Sequence, residues 1–127
     1  MPPAVVPIID KLSAVSTAWS PVQAASFNGQ DIKVVLLQGD FVWHSHPDTD
    51  EVFFVQEGSM EMGVREGGVE SVLKLNKGDM YVVPQGQEHR PLNANCRVLL
   101  FEKAGTVNTG DFDGEVPGHI TQTDGRA

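Results

Sequence analysis

The sequence predicts an all-β domain, an antiparallel sandwich or small barrel with little helix, and three observations carry that reading. Short runs rich in β-branched, aromatic or alternating residues recur along the chain. Between them lie regular breakers: Asn28-Gly29, Gly39-Asp40, Pro47 to Asp50, Gly67-Gly68, Asn76 to Asp79 and Pro84 to Gly86. Only residues 9–18, IDKLSAVSTA, could hold a helix, and that stretch is short and weakly patterned. Many short strands with regular turns and almost no helix are the mark of sandwiches and small barrels.

The elements follow in order. Asn28-Gly29 lies between VQAASF and DIKVVLL, and both turn residues tolerate positive φ, so a hairpin is expected there. IKVVLLQ (32–38), EVFFVQ (51–56) and SMEMGV (59–64) read as strands. A second hairpin spans Gly63 to Val72 around Gly67-Gly68 and leads into SVLKL (71–75). MYVVP (80–84) and RVLLF (97–101) complete the set. No repeat and no linker interrupts residues 1–127, so one domain is expected. From Thr106 onward the chain is polar and Gly-rich, and residues 106–127 are expected to run over the surface as a tail.

Composition excludes several classes. The chain is 40% apolar and 20% charged, which is ordinary for a globular domain, and 127 residues suit a single core. No run approaches the ~18 apolar residues of a membrane helix. The start, MPPAVVPIIDKL, has no basic region ahead of its apolar part, so no secretion signal is read there and a cytoplasmic location is expected. Net charge is −8 and no basic stripe is visible, so nucleic acid is not an expected partner. Cys96 is the single cysteine; no internal disulfide can form, and its strand context NCRVLLF suggests a buried thiol.

The chemistry concentrates in HSHPDTDE, residues 44–51. Alternate side chains of a strand share a face, so His44 and His46 can point the same way. The PDTD turn reverses the chain and Glu51 opens the next strand, from which it can return beside the histidines. Two imidazoles and a carboxylate suit Zn, Fe, Mn, Ni or Co; solvated polar residues at a strand end are the competing reading. The segment GDMYVVPQGQEHRPLN (78–93) adds a Pro-x-Gly corner followed by His89, the natural fourth arm. His119, in the tail, reads as solvated.

These segments together carry a resemblance. Gly39-x4-His44-x-His46-x4-Glu51-x6-Gly58 resembles the first signature of the cupins, with four residues in place of the usual five after the leading glycine. Gly78-x5-Pro84-x-Gly86-x2-His89-x3-Asn93 is similar to the second signature throughout. The two cover residues 39–93. The resemblance implies an antiparallel jelly-roll β-barrel with one divalent transition-metal ion, Zn, Mn, Fe or Ni. It assigns ligand roles to His44, His46, Glu51 and His89, and it implies a homodimer.

Four such ligands leave coordination positions for water or a small-molecule substrate. A metal-dependent enzyme of isomerase, epimerase, cyclase, dehydratase or oxygenase type is therefore the expected function. A non-enzymatic sugar- or metabolite-binding cupin is the alternative. No catalytic acid or base is assigned; Tyr81, Arg90, Arg97 and Glu102 are conceivable, each with a structural role open to it. Strand parity further places Val42 inward with the histidines, Phe53 and Val55 inward with Glu51, Met60 and Met62 together, and Phe41 with Trp43 outward.

Overall fold

Turn chemistry sets the strand order. In the computed structural model, which describes residues 2–120, a short helix α1 (Ile8–Ala14) precedes six strands. They are β1 (Val22–Phe27), β2 (Gln30–Gly39), β3 (Glu51–Glu66), β4 (Val69–Asn76), β5 (Met80–Val83) and β6 (Glu88–Lys103). Asn28 and Gly29 take φ of 50° and 75°, and Gly67 and Gly68 take 57° and 79°. Positive φ at both central residues lets a two-residue turn follow the natural twist of a hairpin. The β1–β2 and β3–β4 hairpins result, and all pairings are antiparallel.

The sheet order is β1-β2-β6-β3-β4, with β5 on the free part of the β3 edge. This is the expected all-β jelly-roll barrel, and α1 is its one short helix. Among the described residues, no helix is long and apolar enough to cross a membrane.

β3 and β6 run sixteen residues each and hold the architecture together. Both change phase midway. On β3 the buried positions are Glu51, Phe53 and Val55, then Met60, Met62 and Gly63. On β6 they are His89 and Pro91, then Ala94, Cys96, Val98, Leu100 and Glu102. The register slips on either side of Gly58 (φ 77°), and Asn93 sits at φ 47°. Such bulges bend a strand while keeping its apolar side chains inward. The bend lets Glu51, paired with Glu102, approach His89, paired with Val64, across the interior.

The core fills the barrel: Val55, Met60, Met62 and Val98 have no exposure. As parity predicts, Phe53 and Val55 join Glu51, and the two methionines share a face. A second cluster lies outside β2, where Leu12 and Val15 cover Val34 and Leu36. Burying a side chain such as Leu12 contributes about 2 kcal/mol. Arg97 fastens this layer, its Nη1 donating to the carbonyls of Leu12 and Val15 at 2.6 Å each. That satisfies acceptors left open where a helix ends.

Three sequence expectations change, the first being that EVFFVQ and SMEMGV, read as two strands, are the single strand β3. Phe41 is buried and stacked on Trp19, with ring centroids 4.8 Å apart, because residues 40–43 form no strand and parity does not apply there. The segment after Thr106 also does not stay at the surface: Thr109 is 1% and Ile120 7% exposed. Its polar composition hides these two buried positions, of which Ile120 joins the main core cluster. Residues 121–127 lie outside the described part of the chain.

Candidate metal centre

The centre is assembled from three places in the chain. His44 forms an isolated β-bridge with His89, through reciprocal backbone hydrogen bonds of 3.1 and 2.9 Å. His46 follows two residues later, its carbonyl accepting from Gly86 N–H at 3.0 Å. The PDTD turn then brings in Glu51, with Asp50 Oδ1 accepting from the backbone N–H of Gln85 at 2.8 Å. The structure thus brings together all four sequence-predicted residues. Their ligand atoms lie within 4.8 Å of one another, and every residue of the set is buried.

The imidazoles are aimed. His44 Nδ1 bonds the carbonyl of Val42 at 2.8 Å, and His89 Nδ1 bonds that of Gln87 at 2.9 Å. A carbonyl only accepts, so each Nδ1 donates to it and each Nε2 is turned to the interior. His89 Nε2 meets Glu51 Oε1 at 3.1 Å. His46 Nε2 lies 3.4 Å from the same oxygen, outside good hydrogen-bond geometry, and is a buried nitrogen with no partner. A buried ring nitrogen left unpartnered among two aligned imidazoles and a carboxylate is what a cation site leaves open.

The electrostatics agree. Burial, reinforced by the neighbouring His89, pulls His44 down to about 3, so its ring is neutral and ready to coordinate. Burial opposes the charge on Glu51, yet contacts with His46 and His89 outweigh it and hold the carboxyl well below its ordinary value. Burial likewise lowers His89, but its bond to Glu51 more than compensates and raises it.

Behind Glu51 lies a buried chain that parity alone does not announce. Lys33 and Glu102 both have no exposure, and Lys33 Nζ bonds Glu102 Oε1 at 2.9 Å and the Thr106 carbonyl at 2.8 Å. Glu102 lies opposite Glu51 in the β3–β6 register, and its Oε2 has no hydrogen-bond partner among the described residues. Burial, then the charge on Glu51, pushes Glu102 up to about 10, with Lys33 offsetting part. The Lys33 ammonium thus stands behind two neighbouring carboxyls, bonded directly to that of Glu102. The alternation Asp31-Lys33-Val35-Leu37 in the sequence could have revealed Lys33 as inward-facing.

The chain after β6 clasps the histidine segment from outside. Asp111 accepts from Ser45 N–H at 2.6 Å and Ser45 Oγ at 2.7 Å, and Asp111 N–H donates to the Ser45 carbonyl at 2.9 Å. Burial works against the Asp111 charge, but the Ser45 bonds lower its pKa. Gly110 fits beside both rings: a Cβ there would overlap the Ser45 carbonyl and lie 3.1 Å from each imidazole. Nothing in the tail sequence signals this role.

Other candidates stand elsewhere. Tyr81 bonds Gln87, Arg90 lies over the outward Trp43 ring at 5.0 Å, and Arg97 holds α1. His119 is exposed, its Nε2 at 3.2 Å from the Asp40 carbonyl. Cys96 is buried, and burial pushes its thiol up to about 12.

Three histidines and a glutamate converging inside a β-barrel form a cluster that could hold a metal ion. A family model described as cupin domain matches residues 33–101, and the chain belongs to the cupin family. It is similar to a cupin-2 domain protein of Shewanella frigidimarina, 39% identical with a TM-score of 0.71, over 78% of this chain and 94% of that one. A germin-like protein of Arabidopsis thaliana, subfamily 3 member 3, is 34% identical over 77% of this chain and 49% of its own. The chain spans about half the length of curated relatives such as this one. A hydroquinone 1,2-dioxygenase solved with Cd2+ shares the fold at 15% identity and a TM-score of 0.63, over 79% of this chain and 72% of that one.

Proposed function

We propose that His44, His46, Glu51 and His89 hold one divalent transition-metal ion, Zn, Mn, Fe or Ni, and that the protein is a metal-dependent enzyme acting on a small oxygenated metabolite. The observation that carries this reading is the unpartnered Nε2 of His46, buried among two aligned imidazoles and a carboxylate. A bound ion would keep about one net positive charge after Glu51 and could polarise a substrate oxygen. The chain's own contributions are rigidity and dryness. Carbonyls fix two rings, the Asp111 clasp fixes the segment between His44 and His46, and apolar walls limit water around Glu51.

The test is metal analysis of the purified protein, followed by Glu51→Ala. The expected outcome is about one ion per chain. In the variant, metal affinity falls by at least tenfold while the far-ultraviolet circular dichroism of the barrel persists. A wild-type protein that carries no metal and ignores added Mn, Fe, Ni and Zn defeats the reading.

The functional unit is further proposed to be a homodimer. Support comes from the outer face of β5, β3 and β6, where Val82, Val52 and Phe101 register in one row and Met80, Phe54 and Leu99 in the next. Met80 is 59% and Val82 46% exposed. An uncharged patch across three strands suits a second copy of the same surface.

A further inference from the structure

We infer that β4, a free edge of the sheet, is a self-complementary interface for a second copy of this chain. The two β4 strands run antiparallel, with their Val72 side chains face to face and Glu70 of each copy opposite Lys74 of the other. The inference does not depend on the metal centre, and the surface is separate from the apolar outer rows that carry Met80 and Val82.

β4 pairs with β3 along one side only. Among the described residues no strand lies on its other side, so an eight-residue strand presents a row of open N–H and C=O groups. Such a row is a template for another strand, and proteins commonly blunt it with charge, proline or a bulge. VESVLKLN holds no proline, and its register with β3 runs unbroken from Asn76 back to Val69.

The charges form a pattern that a two-fold axis maps onto itself. Alternation places Glu70, Val72 and Lys74 on one face, with Leu73 and Leu75 on the other, against the core. Val72 is 56% exposed and the Glu70 side chain 58%. An antiparallel pairing centred on Val72 makes the Glu70–Lys74 match twice and covers both valines. Centring on Glu70 or on Lys74 instead sets like charges directly opposite, which is destabilising. A lysine alone on an edge repels its own copy; a glutamate at the mirror position reverses that sign.

Neither charge is fully engaged within its own chain. Lys74 Nζ lies 3.4 Å from Ser59 Oγ and has no carboxylate partner among the described residues. Glu61, which faces Lys74 in the β3–β4 register, is bonded instead by Asn93 Nδ2 at 2.7 Å. Glu70 lies 3.7 Å from Arg65 Nη1, while Arg65 turns two donors to Glu88. Exposed ion pairs are individually weak, so copies join only at roughly 0.1 mM and above, and the contact stays open at the dilution of a size-exclusion column.

The experiment places a thiol on the axis. Val72→Cys in the full-length chain is treated, at that concentration, with a short bis-maleimide, whose reach is free of disulfide geometry. Cys96 is buried and does not compete. The reference is Val69→Cys, at a position 69% exposed but six residues off the axial register. Covalent dimer is expected to form about tenfold faster in Val72→Cys than in Val69→Cys. Adding Glu70→Lys, or adding Lys74→Glu, turns both attractions into repulsions and removes the advantage; adding the two together restores it. When the two singly recharged forms of Val72→Cys are mixed, the mixed pair is expected to outnumber either self-pair, from which ion exchange separates it.

Equal rates at positions 72 and 69, an advantage that survives either single charge change, no recovery in the charge swap, or self-pairs outnumbering the mixed pair each overturns the inference. An edge that takes a foreign strand instead gives no advantage at position 72 and counts against it in the same way. If a charge variant fails to fold, salt decides. The Val72→Cys advantage is expected to shrink several-fold between about 0.02 and 0.5 M sodium chloride, and indifference to salt overturns the inference. Because the linker reports on β4 alone, the outcome is independent of metal binding and of the outer apolar rows.

Discussion

Lys33 is a lysine with no solvent exposure, and its partner Glu102 has none either. Desolvating such groups is costly, and the cost is recovered only while each keeps its partner. Lys33→Met leaves the Glu51–Glu102 carboxyl pair without its counter-charge. We expect it to destabilise the metal-free protein by about 3–5 kcal/mol. Lys33→Met with Glu102→Leu removes both sides and is expected to recover most of that loss. Urea unfolding of the two single variants and the double variant provides the cycle, and simple additivity would disprove the coupling.

At the scale of elements, glycines mark where strands must bend or touch. Gly58 has φ 77°, and a Cβ there would overlap the Asn95 carbonyl oxygen. Gly58→Ala is therefore expected to cost more than about 2 kcal/mol in urea unfolding, because strain and overlap add. Gly110→Ala should act differently, pressing on the Ser45 carbonyl and both imidazoles. Zinc affinity is expected to fall by about 10–100-fold in competition with a chelating dye, while the barrel remains folded. An unchanged affinity would show that the clasp does not position the histidines. The hairpins and the histidine–glutamate spacing were legible in the sequence because they are local: two positive-φ turn residues, an alternation, a tight corner. EVFFVQ and SMEMGV read as separate strands because the Gly58 bulge shifts their parity, yet they are one strand. Phe41 and Gly110 stayed hidden because their partners, Trp19 and Ser45, lie far away along the chain. Lys33 was visible in the alternation, but its purpose appears only with Glu102 beside Glu51.

For the whole molecule, the outer rows of apolar side chains govern association. Light scattering after size exclusion is expected to report a dimer, and Met80→Glu with Val82→Glu to yield a monomer of unchanged metal content. A monomeric wild type would end that proposal. The contacts of the centre share one further property: His44 bridges His89, Glu51 registers with Glu102, and Ser45 is clasped by Asp111. Each joins distant parts of the chain, so none can form before the long antiparallel pairing closes. During synthesis, a ribosome must release the chain through Asp111 before all of these contacts exist. An ion captured there would then stabilise the native state by mass action and slow its unfolding, with no part in starting the fold. Under the proposed function, metal acquisition is thus a late event, performed by a barrel that has already assembled.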